Sequence, residues 1–409
     1  MKAFTWISSL LALPCALAAP SKRAAWPDTP FSISGRDIIS ASGAKVVFAG
    51  VNWPGAADTM LPEGLQYNSI ANIVGFIKSL NMNVVRLTYA IEMIDDYYTN
   101  SPNQNLQNTL TNALGATNGT KVLQQILQNN PQFTAKTTRL QVFDAVAAEL
   151  AKQQIWIHLD NHVSKAQWCC GTGDGNAWFG DKYFDVTNWK RGLAFMANHA
   201  KSRPGFTSIG LRNELRQPTS ASNSAAPYTW NAWIENMIPA AKTLYSSNPS
   251  PPPNLLLRPK LRHRRHLLHP TPNLQLRNLH PLLLPLLQIQ DCLRNPQLSK
   301  CATDCENQIQ PADAKCPNHG PVVMSEFGFD QTDGSSGGVY AQCIKSVVTG
   351  QPGGPGRWMQ WTISGSYYIK EGTQDSEDTW GLLNKNWSGF RNTTVINNYV
   401  KPFIRATLK

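Results

Sequence analysis

Two glutamates follow short apolar runs in this chain, and each run ends in a polar turn. Glu214 lies in Leu211-Arg212-Asn213-Glu214-Leu215-Arg216, and Glu326 lies in Val322-Val323-Met324-Ser325-Glu326-Phe327-Gly328. Two carboxyl groups facing each other can serve as acid and nucleophile in the hydrolysis of a glycosidic bond. One must hold a proton while the other is ionised, so their surroundings must push the two pKa values apart. Parallel α/β barrels present such groups at the C-terminal ends of their strands. The glutamates are 112 residues apart. A barrel of ~250 residues has ~31 in each βα unit, so the gap suits about three units with modest loop insertions.

The elements that must position them alternate in type. A hairpin is expected over 31–48, turning at Ser42-Gly43, and strands over 46–52, 84–88, 155–160, 208–212, 254–257, 322–325 and 358–363. Helical patterns fall at 70–80, 140–153, 189–201, 230–245, 340–348 and 394–407, while 95–131 is polar, rich in Asn and Gln, and reads as a long loop or small excursion. Strands alternating with helices predict a parallel sheet with crossover helices, here a (β/α)8 barrel. The chain has 409 residues, near the upper size for one barrel domain, and shows no internal repeat or linker to a second domain.

Lys2 precedes an apolar stretch over 4–17 that ends in Ala16-Leu17-Ala18, the pattern of a cleaved export signal over 1–18, followed by a short pro or linker segment over 19–30. The stretch is too short to favour a membrane span. Eight cysteines suit an oxidising compartment. Cys15 leaves with the signal and Cys292 falls in an anomalous segment. Cys169, Cys170, Cys301, Cys305, Cys316 and Cys343 remain, and they allow about 15 full pairings. Asn118-Gly119-Thr120, Asn386-Trp387-Ser388 and Asn392-Thr393-Thr394 are glycosylation sequons. A secreted, extracellular protein follows, with no membrane partner. The thirteen tryptophans offer flat apolar faces for sugar rings, although core packing is the commoner use of tryptophan.

The formal charge of +11 does not imply a nucleic-acid partner. Eight basic side chains and one acid between 257 and 300 supply +7 of it, leaving +4 for the rest. In that same segment the composition turns to Leu, Pro, His and Arg, with prolines at 259, 270, 272, 281, 285 and 296 that are incompatible with an ordinary barrel strand or helix. Advancing the reading frame by one base lets Leu257 through Arg264 encode Ser-Gly-Leu-Asn-Tyr-Asp-Thr-Asp. The same shift lets Asp291 through Leu298 encode Thr-Val-Phe-Glu-Ile-His-Asn-Tyr. Residues 257–298 are therefore read as out of frame and the sixth barrel strand as lost. Transcript sequencing that returned the printed residues in an uninterrupted frame would reject this.

From about residue 31 to the C-terminus the chain resembles glycoside hydrolase family 5, the cellulase family, in a secreted fungal- or plant-like branch. The match is densest in Gly50-Val51-Asn52-Trp53-Pro54, Val85-Arg86-Leu87 and Leu159-Asp160-Asn161-His162-Val163-Ser164. It continues through Trp168-Cys169-Cys170, the stretch 174–181, both glutamate motifs and 358–368. The resemblance implies Glu214 as general acid/base and Glu326 as nucleophile of a retaining reaction, with carboxyls ~5–5.5 Å apart. It makes Arg86 the cation beside the nucleophile and Asn213 the partner of the sugar 2-hydroxyl. It places His162 in the sugar cleft, where His158 is a competitor from the same strand that otherwise reads as a core histidine. Trp361 becomes the aromatic floor beside the scissile bond, and Trp53, Trp168 and Trp178 line flanking subsites.

The implied substrate is a β-1,4-linked glucan, with β-mannan or another β-glycan as alternatives, on a monomer needing no metal or cofactor. The family's sixth-strand His and Tyr are absent from the chain, which keeps a non-catalytic or inactive carbohydrate-binding barrel open as a different class.

Overall fold

A computed structural model describes residues 25–219, 225–247, 254–257, 283–286, 321, 323–350 and 356–409. The signal, Cys15, Cys292, Cys301, Cys305, Cys316 and most of 257–298 lie outside the described residues. The expected hairpin is a small antiparallel sheet of three strands, β1 (Ser32–Ser34), β2 (Asp37–Ile39) and β3 (Lys45–Val46). Phe31 and Phe48 pack on Trp156 at ring distances of 5.3 and 5.9 Å, so this sheet seals the N-terminal end of the strands that follow.

Those strands are β4 (Phe48–Trp53), β5 (Val84–Ala90), β6 (Trp156–Val163), β7 (Phe206–Gly210), β8 (Asn254–Leu257), β9 (Leu283–Leu286), β10 (Met324–Phe327) and β11 (Arg357–Gln360). They form one sheet in the order β10-β11-β4-β5-β6-β7-β8-β9, and every neighbouring pair is parallel. Barrel strands one to eight thus follow chain order, with eight paired to one. Among the described residues no ladder joins β9 to β10.

One short strand lies within 257–298. Leu283–Leu286 pairs with β8, opposite Asn254 to Leu257, despite Pro285 within it. A proline lacks the N–H that a central strand must donate, but an edge strand tolerates it, and β9 is an edge.

The helices are α1 (Ile70–Ser79), α2 (Ile91–Tyr98), α3 (Leu106–Leu114), α4 (Ala116–Asn129), α5 (Arg139–Lys152), α6 (Val186–Ala200), α7 (Trp230–Ser247) and α8 (Val339–Gly350). A final run follows in three pieces: α9 (Thr393–Val395), a π turn (Ile396–Val400) and α10 (Lys401–Thr407). Local chemistry starts several of them. Ser69 accepts from the Asn72 N–H to cap α1, and Thr138 with Gln141 makes a capping box on α5.

The polar stretch 95–131 is mostly helical, because Leu106, Leu110, Leu114, Leu123 and Ile126 are spaced to bury one face of α3 and α4. Asn and Gln on the outer face mask that period in composition. No helix among the described residues is long and apolar enough to cross a membrane.

Candidate active site

The site is assembled around Arg86, which sits inside the barrel on β5 and is fully buried. Its Nη1 donates to Glu326 Oε2 at 2.6 Å and to Asn52 Oδ1 at 2.7 Å. Its Nη2 donates to Asn213 Oδ1 at 2.7 Å and lies 2.9 Å from Asp160 Oδ2. One guanidinium fork therefore fixes groups from barrel strands one, three and seven and from the segment after strand four. A planar donor with a permanent charge suits that task. Burial works against the Arg86 cation, but Asp160 and Glu326 outweigh it and hold its pKa above the ordinary value. Burial likewise opposes the Asp160 anion, yet the Arg86 charge and the His162 hydrogen bond hold its pKa down at about 2.

Asn52 completes the frame. Its Nδ2 donates to the Ser325 and Met359 carbonyls, both at 3.1 Å, which ties strand one to the two strands beyond it, next to Glu326. Gly328 follows two residues later because a Cβ there would lie 2.4 Å from the Trp361 carbonyl oxygen.

Glu214 lies four residues past the end of β7, with a left-handed backbone (φ 37°) that is costly for a residue with a Cβ. Its environment holds that conformation. The Asn213 N–H donates to the Asn161 carbonyl at 2.8 Å. Arg216 donates from Nη1 to the Glu214 carbonyl and from Nε to the Gly171 carbonyl, both at 2.9 Å, and pairs with Asp174.

Glu214 and Glu326 both line a cavity of about 390 Å³, together with His162, Trp168, Cys169, Cys170, Tyr340, Trp361, Lys370, Asp378 and Trp380. The His162 Nδ1 lies 2.8 Å from Asp160 Oδ2, and its ring stacks on Trp361 at 5.6 Å with planes 10° apart. Trp168 meets Trp361 edge-on at 6.4 Å. Two aromatic walls and two carboxyls in one concave space match the shape and chemistry of a pyranose. The Sγ atoms of Cys169 and Cys170 are drawn together on the wall near Asn213, whose Nδ2 is 3.7 and 3.6 Å from them.

Seven of the nine residues singled out from sequence gather here: Arg86 and Asn213 behind the cavity, and His162, Glu214, Glu326, Trp168 and Trp361 on its wall. Trp53 and Trp178 do not. Trp53 is fully buried with Nε1 donating to the Glu63 carbonyl at 3.0 Å, and Trp178 is fully buried with Nε1 donating to the Pro227 carbonyl at 3.2 Å. A carbonyl partner for the indole N–H lets the whole ring enter the core, so both subsite assignments fall. His158 is also interior. Its Nδ1 lies 2.8 Å from Ser208 Oγ, and burial, with help from Arg86, lowers its pKa to about 3.

Asn52 and Asp160 were missed, although a polar side chain within an apolar strand signals a buried network. Lys370 and Asp378 carry no sequence signal. They come from the strand pair β12 (Ser366–Lys370) and β13 (Thr373–Glu377) and the turn after it. Lys370 Nζ lies 3.7 Å from Asp378 Oδ2 and 4.4 Å from the Trp168 ring centre.

No family model matches the chain. A glycosyl hydrolase 5 family protein of Chamaecyparis obtusa is 30% identical over 406 residues, covering 93% of this chain and 66% of that protein. The major extracellular endoglucanase of Xanthomonas campestris pv. campestris is 26% identical over 238 residues, 56% of this chain and 41% of that protein. The chain thus spans 66% and 41% of the lengths of these two relatives.

The fold is similar to that of an endocellulase from Pyrococcus horikoshii solved with cellotetraose (TM-score 0.67, 16% identity, 92% of this chain and 98% of that one). It is also similar to the catalytic domain of the Xanthomonas campestris endoglucanase (TM-score 0.62, 17% identity, 91% and 98%). These likenesses show a (β/α)8 barrel, and the sequence match to the Chamaecyparis protein makes the chain a member of glycoside hydrolase family 5.

Proposed function

We propose that this chain is a retaining endo-β-1,4-glucanase. Glu326 attacks the anomeric carbon while Glu214 protonates the leaving glycosidic oxygen. Glu214 then takes a proton from water as the water displaces Glu326 from the glycosyl-enzyme. The observation that carries this reading is the asymmetry of the two acids on one cavity. Glu326 receives the Arg86 guanidinium at 2.6 Å, whereas Arg86 makes its other bonds to Asn52, Asn213 and Asp160 and none to the Glu214 carboxyl. The guanidinium fixes the orientation of Glu326, so the two carboxyls stand in different surroundings on one cavity. Trp361 and Trp168 supply faces for the sugar, and Asn213, held by Arg86, offers its amide to the 2-hydroxyl.

Names of relatives support glucan as the polymer, since one is an extracellular endoglucanase and one neighbour was solved with cellotetraose. Export, glycosylation and action as a monomer belong to the same proposal. Asn386 is exposed and suits a glycan; Asn118 is exposed too, but its Nδ2 donates to Gln374 Oε1 at 2.8 Å, and the Asn392 side chain caps a helix and donates to the Gln331 carbonyl at 2.9 Å. The out-of-frame reading of 257–298 also stands as a proposal.

The test compares Glu326→Gln and Glu214→Gln with the unmodified chain on soluble β-glucan, mannan and xylan, following the anomeric proton by NMR. Glu326→Gln should abolish turnover and keep oligosaccharide binding. Glu214→Gln should spare substrates whose leaving group needs no acid. Initial release of the inverted anomer, or turnover unaffected by either change, would refute the assignment. If the unmodified chain binds cello-oligosaccharide without turnover, the absence of the sixth-strand His and Tyr favours the non-catalytic binding barrel instead.

A further inference from the structure

The cavity wall carries a donor set, His162 with Cys169 and Cys170, whose two sulfurs the proposed hydrolysis does not use. Ligand atoms of His162, Cys169 and Cys170 lie within 4.8 Å of one another, and no other such group of His, Cys, Asp and Glu is found among the described residues. His162 is oriented as a ligand would be. Its Nδ1 faces the Asp160 carboxylate at 2.8 Å, leaving Nε2 to face Asn213 Nδ2 at 3.4 Å. A carboxylate on the remote ring nitrogen fixes the tautomer and the orientation of the ring, as in metal-binding histidines generally.

Two thiolates and an imidazole around one tetrahedral ion, at ~2.3 and ~2.0–2.1 Å, lie roughly 3.5–3.8 Å from one another. Opening the sulfur pair must therefore carry the two Sγ atoms apart to roughly that separation, while the His162 ring nitrogen already lies within 4.8 Å of both. All three residues line the open cavity of about 390 Å³, which has room for an ion and a fourth ligand. Sulfur donors select thiophilic cations. Only thiolates bind them, so a bonded pair of sulfurs offers no site.

We propose that Cys169 and Cys170 are joined by a disulfide, and that its reduction converts this wall into a Cys2His site for a thiophilic divalent cation, which blocks the sugar cavity when bound. A dithiol reductant gives up two hydrogens and becomes a cyclic disulfide while the Cys169–Cys170 bond breaks into two thiols. Binding of the cation then expels the two thiol protons. The blocking of hydrolysis rests on the proposed function; cation binding does not.

The experiment uses the full chain, oxidised or reduced with dithiothreitol and desalted without oxygen, with cadmium as the probe. Reduced protein should bind at least one more equivalent of cadmium than oxidised protein, with ultraviolet thiolate–cadmium absorbance. Cys169→Ser/Cys170→Ser should lose that absorbance in part and bind one equivalent fewer than reduced wild type. His162→Ala should weaken binding about tenfold or more, as the loss of even an outer partner does. Alkylation of both thiols by iodoacetamide, read by mass spectrometry on the unmutated chain, should slow about tenfold when cadmium is present. Equal cadmium uptake by the reduced wild type and the double serine variant, or alkylation indifferent to cadmium, overturns the site. These readouts stand whether or not the chain hydrolyses glucan. An active chain that binds cadmium in this way yet keeps its activity would overturn the blocking alone.

Discussion

Arg86→Met removes a charge while keeping most of the side-chain volume, and the structure sets the size of its effect. Arg86 is the cation within ion-pair distance of both Asp160 and Glu326, and Asp160 is almost fully enclosed. Breaking a buried pair by deleting one partner costs about 3–5 kcal/mol, because the other charge is left without compensation. Part of that loss depends on pH. The Asp160 pKa is lowered from 3.8 to about 2 in the folded protein, so its ionisation contributes roughly 2 kcal/mol of stability above pH 4. That contribution is fully present above the unfolded pKa and is lost as pH falls through the folded one. About half is gone near pH 3.

Without Arg86, burial is the largest influence left on Asp160 and pushes its pKa up against the His162 hydrogen bond, so the loss is greatest at a pH where the unfolded carboxyl is ionised. The variant should therefore lose about 3–5 kcal/mol at pH 7 and clearly less at pH 3. Urea unfolding followed by circular dichroism at both pH values measures this. Turnover should fall about 10²-fold or more as Glu326 loses its partner. A loss below about 1 kcal/mol at pH 7, or the same loss at both pH values, would refute the reasoning.

Trp361→Ala and Trp53→Ala should separate cleft from core. The first should raise KM with little change in unfolding, while the second should cost about 3–5 kcal/mol and leave KM nearly unchanged in whatever protein stays folded. A KM rise from Trp53→Ala would return that ring to the cleft. Replacing 257–298 by the product of the shifted frame should supply the missing His and Tyr and a regular sixth strand. Higher thermal stability and turnover are then expected, and no gain in either counts against the frame reading.

Much of the candidate site was legible because its chemistry is carried by residues that local burial does not otherwise explain. Glu214, Glu326 and Arg86 are charges at the ends or centres of apolar strands, and such charges need partners. Asn52 and Asp160 gave the same kind of signal inside the same motifs and were passed over. The tryptophans were not separable from sequence. Trp53 ends one strand and Trp361 directly follows another, yet one N–H meets a carbonyl in the interior and the other ring faces the cavity. The polar outer faces of α3 and α4 hid their buried leucines for a similar reason, since composition averages over faces that packing separates.

By itself the sequence determined the alternation of strands and helices, the pair of acids and the family. These depend on residue type and spacing along the chain. Tertiary structure alone decided which side chains meet: a guanidinium from strand two between Asn52, Asp160, Asn213 and Glu326, a sulfur pair against Asn213, and Lys370 above Trp168. Those contacts join residues as far as 240 positions apart, as Arg86 and Glu326 are. Strand order and register bring such residues together, and no local propensity records that proximity.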